Sequence, residues 1–246
     1  MPAELQGLRP SPAGFGACTG CVYWTTGTPA VCHPCAITRS PAVTAPTCAL
    51  CGQVLDGGRR CPNTVCTLDD PHFSRIYTVS DRPDEMWNAI WSYKYGEERA
   101  WAGVLARILV GFLEAHRDDL ARYDLITTGA IYVGPRAQRL WDYLRLVVDA
   151  AAREGPDWPF APGLIAKSRP TGRFLGIDPE ARRRIAEGEL RAALSVPEPD
   201  RVAGRRVLVF DDVYSEGFSL REMARVLLGA GAVEVAGIVL ARRKGG

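Results

Sequence analysis

All eight cysteines of this 246-residue chain lie between Cys18 and Cys66, and none follows. They fall in four close pairs: Cys18-x2-Cys21, Cys32-x2-Cys35, Cys48-x2-Cys51 and Cys61-x4-Cys66. One tight knuckle aims two thiolates at one ion, and tetrahedral zinc needs two knuckles, so eight sulfurs fill two sites. Disulfides are the competing use of such a pattern. Met1 to Gly16 carries Glu4 and three prolines but no apolar stretch, so it does not read as a secretory signal. A cytoplasmic location with reduced thiols is therefore expected. A redox pair would need only one Cys-x2-Cys. Spacing allows either consecutive pairing or the cross-braced pairing of RING-type domains. Consecutive pairing is favoured, because each set of four then spans fewer than twenty residues. His33 and His72 find no vacancy among eight cysteines and are expected at the surface. With sulfur at every position, neither ion keeps a place for water, so both zinc ions are expected to be structural.

This confinement of cysteine divides the chain into a loose tail over 1–16, a cysteine-rich zinc-binding domain over 17–72 and a larger domain over 73–246. The cysteine-rich part is rich in Pro, Gly and Thr, as befits a segment held by metal more than by a core. The formal charge of +2, from thirty basic and twenty-eight acidic residues, singles out neither nucleic acid nor membrane as a partner. The most apolar stretch, Ala100 to Leu113, is interrupted by Arg107 and is too short to span a bilayer.

Beyond the cysteines, strand and helix patterns alternate. Trp101, Val104, Leu105, Ile108 and Phe112 form one face of a long amphipathic helix over Glu97 to Leu113. Asp124 to Val133 reads as a strand, and Leu140, Leu144, Val147, Val148 and Ala151 mark a second helix. A short strand at Leu164 to Ala166, an Arg-rich helix at Pro179 to Leu194 and a buried strand at Val207 to Phe210 follow. A helix opening at Ser219 and a last strand over Val233 to Leu240 complete the pattern. This order predicts an α/β fold with a mainly parallel sheet flanked by helices, preceded by a small zinc-ribbon domain.

The stretch from Val207 to Ser219 carries the chemistry. Its apolar run ends in Asp211 and Asp212, at the carboxyl end of a strand, where open α/β sheets bind ligands. Adjacent carboxylates accept hydrogen bonds from vicinal sugar hydroxyls or hold a hydrated Mg2+. Ser215, Gly217 and Ser219 let backbone N–H groups curl round an anion at the start of a helix. The combination fits a phosphorylated sugar. No Walker A loop, dinucleotide fingerprint or His-Glu-x-x-His motif occurs.

The stretch resembles the ribosyl-diphosphate motif of type I phosphoribosyltransferases, and the chain from about Cys18 to Arg242 resembles the ComF/GntX-like family, a cysteine-knuckle domain fused to such a transferase domain. Tyr93-Lys94-Tyr95-Gly96 resembles the family's segment leading into its first helix. Asp124-Leu125-Ile126 resembles the strand before its diphosphate loop, Lys167-Ser-Arg-Pro-Thr171 its Arg-x-Arg-x-Thr element, and Gly229 to Val233 its closing turn. The resemblance implies binding of 5-phosphoribosyl-1-diphosphate, or another sugar phosphate, with Mg2+. Asp211 and Asp212 would take the ribose hydroxyls as the catalytic pair. Ser215, Glu216, Gly217, Phe218 and Ser219 would surround the 5-phosphate, and Lys167 and Arg169 would serve the diphosphate.

The chain also departs from the family pattern. Glu216 replaces a threonine, Phe218 replaces a small residue, and Thr127 to Arg136 lacks the usual diphosphate-loop signature. A carboxylate about 5 Å from a phosphate charge opposes binding by roughly 3 kcal/mol at an effective dielectric near 20, unless it turns to solvent or meets an arginine. The alternative function is that of a non-catalytic homologue acting as a nucleic-acid or protein adaptor, since the family is linked to DNA uptake and competence. Arg59, Arg60, Arg182, Arg183 and Arg184 would then meet the phosphates of single-stranded DNA.

Overall fold

The computed structural model describes residues 46–55, 60–80, 84–96, 98–137, 139–174 and 176–243. The tail over 1–16, Cys18, Cys21, Cys32, Cys35, His33 and Arg59 lie outside the described residues.

Four strands form a wholly parallel sheet: β1 (Ile76–Ser80), β2 (Leu125–Thr128), β5 (Arg206–Tyr214) and β6 (Glu234–Arg242), in the order β1-β6-β5-β2. Phe210 of the central strand lies beside Thr128 on one side and Ile238 on the other. Val207 to Phe210 is buried throughout, as expected of a parallel strand covered on both faces. Successive residues serve opposite layers. Leu208, Phe210, Ile238 and Leu240 pack with helices α1 (Asp84–Tyr95), α2 (Trp101–Ala115) and α3 (Tyr143–Glu154). Val207, Val209, Val235 and Val239 pack with α5 (Phe218–Gly229), together with Cys51 and Val65 from the cysteine segment. The α/β fold with a mainly parallel sheet flanked by helices is as the sequence predicts, with a cysteine cluster ahead of it.

Several elements differ from the sequence expectation. Helix α2 starts at Trp101 and is not amphipathic: apart from Gly111, Glu114 and Ala115, every residue is buried. Arg107, which interrupts the apolar run, is buried with it and donates to Glu154 of α3 at 3.2 Å. The strand expected over Asp124 to Val133 ends at Thr128, where the chain leaves the sheet after Gly129 N–H bonds Phe210 C=O. The strand expected at Leu164 to Ala166 is instead β3 (Ala166–Lys167). It pairs antiparallel with β4 (Leu194–Ser195), outside the main sheet. The single Arg-rich helix breaks up: α4 (Pro179–Ile185), capped by Asp178, widens into a π turn over Ala186–Leu190 and closes with Arg191–Ala193. Strand β1 and helix α1 have no counterpart in the sequence expectation, and Tyr93-Lys94-Tyr95 both closes α1 and leads into α2.

Candidate functional site

Strand β5 delivers Asp211 and Asp212 to one wall of a cavity of about 320 Å³. The neighbouring wall is Gly129 to Tyr132, the segment that follows β2, so the cavity lies where two adjacent parallel strands end. Lys167, Thr171, Arg182, Ser215 and Ser219 add polar atoms, and Trp87, Trp91 and Tyr95 line it from α1.

Lys94, at the end of α1, is the counter-charge. Its Nζ lies 2.5 Å from Asp212 Oδ2, with side-chain exposures of 13% and 8%, and 4.6 Å from the centroid of the Tyr143 ring. Burial alone would lower the lysine's pKa, but the Asp212 carboxylate holds it above the ordinary value. Asp211 is pushed up to about 8, by burial first and by the adjacent Asp212 carboxylate second. Lys94 balances the charge on Asp212, and two adjacent carboxyl groups served by a single lysine could hold a hydrated Mg2+.

Beyond the strand the chain turns through Gly217, at φ 89°, into α5. A Cβ there would stand 2.4 Å from the Tyr214 hydroxyl, so both the backbone angle and the space call for glycine. Glu216 does not face solvent. Both of its carboxylate oxygens lie 2.7 Å from Arg182 Nη1, and the Ser215 hydroxyl donates to Oε2 at 2.8 Å. Burial works to raise its pKa, but Arg182 and Ser215 outweigh it and hold Glu216 below the usual carboxylate range. A smaller cleft of about 60 Å³ remains around Ser215, Glu216, Gly217, Phe218 and Ser219. The arginine from α4 thus neutralises the negative charge that the loop itself carries.

The other residues singled out from sequence are placed as follows. Lys167 lines the cavity and donates to Thr171 Oγ1 at 2.8 Å, and burial lowers its pKa. Arg169 is exposed and is not part of the cavity wall. Arg183 and Arg184 are paired with Glu187 and Glu180, and Arg60 is exposed. His72 pairs with Asp70 at 2.8 Å.

Cys48, Cys51, Cys61 and Cys66 come together with all four sulfurs within 4.8 Å of one another, the set that consecutive pairing puts on one ion. Cys51 and Cys61 Sγ are 3.7 Å apart, against about 3.8 Å for a sulfur tetrahedron with zinc bonds of about 2.3 Å. The donor set fits zinc and leaves no place for a water ligand. Arg242, at the end of β6, donates to the Cys51 carbonyl and reaches Cys51 Sγ at 3.3 Å.

Sequence reasoning did not pick out Tyr143, the roles of Lys94 and Arg182, or the aromatic wall. The wall had a signal, since Trp87, Trp91 and Tyr95 recur every four residues. In the fold Trp91 and Tyr95 lie 4.2 Å apart, and Arg139 and Arg243 cover Tyr95 and Trp87.

The site is thus a carboxylate-floored cavity at the strand ends of a parallel α/β sheet. No protein-family model matches the chain, and no curated protein matches it. Among solved structures, the chain is similar to a glutamine phosphoribosylpyrophosphate (PRPP) amidotransferase from B. subtilis complexed with ADP and GMP. The match has 23% identity over 58% of this chain and 26% of that one, with a TM-score of 0.36. It is also similar to a structure described as the allosteric regulatory enzyme of purine biosynthesis, at 22% identity, the same coverage and a TM-score of 0.35. The chain therefore spans 26% of the length of each of these neighbours.

Proposed function

We propose that the cavity binds 5-phosphoribosyl-1-diphosphate, or a closely related pentose phosphate, and that the chain is a ComF-like phosphoribosyltransferase. The observation that carries this reading is the run from Asp211 to Ser219: paired carboxylates at a strand end, a glycine-turned loop and a helix start, all lining one cavity or its adjoining cleft. Asp211 and Asp212 accept hydrogen bonds from the ribose hydroxyls, while the Ser219 hydroxyl, the loop N–H groups and the Ser215 hydroxyl, once it leaves Glu216, hold the 5-phosphate. Arg182 then exchanges part of its bond with Glu216 for the phosphate. Lys167 serves the diphosphate, whose negative charge bound Mg2+ would offset. In the transfer the C1–oxygen bond breaks, diphosphate leaves with the electron pair, and an acceptor nitrogen bonds to C1 and gives up its proton. The paired acids face the ribose as it gains positive charge, so catalysis rests on electrostatics and positioning. Trp87 and Trp91 offer a flat acceptor aromatic surface on the cavity wall.

A second reading, a homologue that binds without turnover, is favoured by the Glu216–Arg182 pair, which already fills the loop with a carboxylate. Release of diphosphate in the presence of candidate acceptors separates the two. Binding itself is tested by calorimetry with phosphoribosyl diphosphate and Mg2+. The expected result is saturable binding, weakened at least tenfold by Asp212→Asn, and no heat with the intact chain rejects both readings.

A further inference from the structure

The cysteine cluster and the anion loop touch, and the contact is built from buried groups. Asn63 lies between Cys61 and Cys66, is fully buried and caps the 3-10 turn Thr64–Thr67 by accepting from Val65 N–H at 3.1 Å. The other end of the same amide donates to the Ser215 carbonyl at 2.9 Å, across 152 residues of sequence. Tyr214, one residue earlier, is held from the same side. Phe73 meets its ring edge-on at 6.4 Å, and the Arg242 guanidinium that bonds Cys51 and Gln53 lies 5.3 Å from its ring centroid.

We propose that Asn63 is a positioning residue through which metal at Cys48, Cys51, Cys61 and Cys66 sets the geometry of the anion loop. The inference rests on the sugar-phosphate reading for its ligand, but not for the coupling itself. A trans peptide holds its C=O and N–H in opposite directions in one plane. Fixing the Ser215 carbonyl toward Asn63 therefore turns the Glu216 N–H away from the knuckle and fixes the first donor of the loop. Asn63 can hold that carbonyl only while Cys61 and Cys66, on either side of it, are drawn to a common centre. The coupling is reciprocal: a ligand that orders the loop must also tighten the metal's hold.

Asn63→Asp tests this, because the carboxylate keeps the acceptor that caps Val65 and loses the donor to Ser215. The variant is expected to retain the wild-type zinc-to-protein ratio. It should bind ribose 5-phosphate about tenfold more weakly, the worth of one buried hydrogen bond, and exchange the Glu216 and Gly217 amide protons faster. In the wild type, saturating ribose 5-phosphate should slow zinc transfer to a chelator, and in the variant it should not. Equal binding and equal exchange in the variant overturn the proposal. Stripping zinc from the wild type supplies a measurement that needs no ligand or variant: faster exchange over 214–219 supports the coupling, and unchanged exchange refutes it. If the wild type binds no sugar phosphate, the functional reading falls, and this exchange measurement still decides the coupling.

Discussion

The last residues of β5 and the turn from it into α5 both carry acidic residues, and they are handled differently. At the strand end, Asp211 and Asp212 face the cavity, and their counter-charge, Lys94, comes from α1. In the loop, Glu216 is gripped by Arg182 from α4 and by its own neighbour Ser215. The first arrangement leaves carboxylate oxygens available to hydroxyls or a cation. The second spends a cation and a hydroxyl on an internal anion, at the place where a helix start would otherwise receive an external one. A negative charge thus serves as the floor of a site in one place and as its occupant in the other, according to which distant element brings the base.

Removing the base from the strand end should have the largest effect. Lys94→Ala leaves two adjacent carboxylates without a counter-charge, and breaking such a buried pair costs about 3 kcal/mol or more. Urea unfolding should show that loss, largely restored in Lys94→Ala/Asp212→Asn, where no unpaired charge remains. An equal loss in the double variant would mean that Lys94 contributes packing and not charge. In the loop, Glu216→Thr removes the internal anion and frees Arg182. Ribose 5-phosphate binding should tighten by up to about a hundredfold, the counterpart of removing roughly 3 kcal/mol of repulsion. Unchanged affinity would show that the carboxylate and the ligand do not compete.

The smallest effect, reckoned per unit of pH, comes from titration. Burial, and after it the Asp212 carboxylate, pushes the Asp211 carboxyl up to about 8 from the ordinary 3.8, which favours the proton on the folded state between these values. Its contribution to stability is complete below about pH 4 and is lost as pH rises through 8. Stability should therefore fall with pH across this window by at most about 1.4 kcal/mol per unit from this group. Asp211→Asn should flatten the slope between pH 6 and 8. Glu216, held below its ordinary value, works in the opposite sense, with stability lost only as pH falls through its lowered pKa. A slope that persists in Asp211→Asn would assign the titration elsewhere.

What could be read from sequence was local. Val207 to Phe210 suits a strand buried on both faces, although the strand runs on through the two acids to Tyr214 instead of ending at Phe210, and cysteine spacing groups Cys48, Cys51, Cys61 and Cys66. The counter-charges were not legible, because Lys94 and Asp212 are 118 positions apart and no periodicity links them. Glu216 could be flagged as an obstacle, but its direction depends on where α4 arrives within the excursion between β3 and β4. Helix α2 misled for a related reason: its apolar stripe is real, but the layers around it bury the remaining faces too. Asn63 carries no motif at all, and its role comes from folding the cysteine segment against Tyr214 and Ser215.

A phosphorylated pentose seated in the turn after β5 would be visible in the backbone amide resonances of that turn. Titrating ribose 5-phosphate into 15N-labelled protein should produce saturable shifts concentrated in the amides of Ser215 to Ser219, with the same midpoint throughout. Shifts confined to other parts of the chain, or none at saturating ligand, would contradict the account.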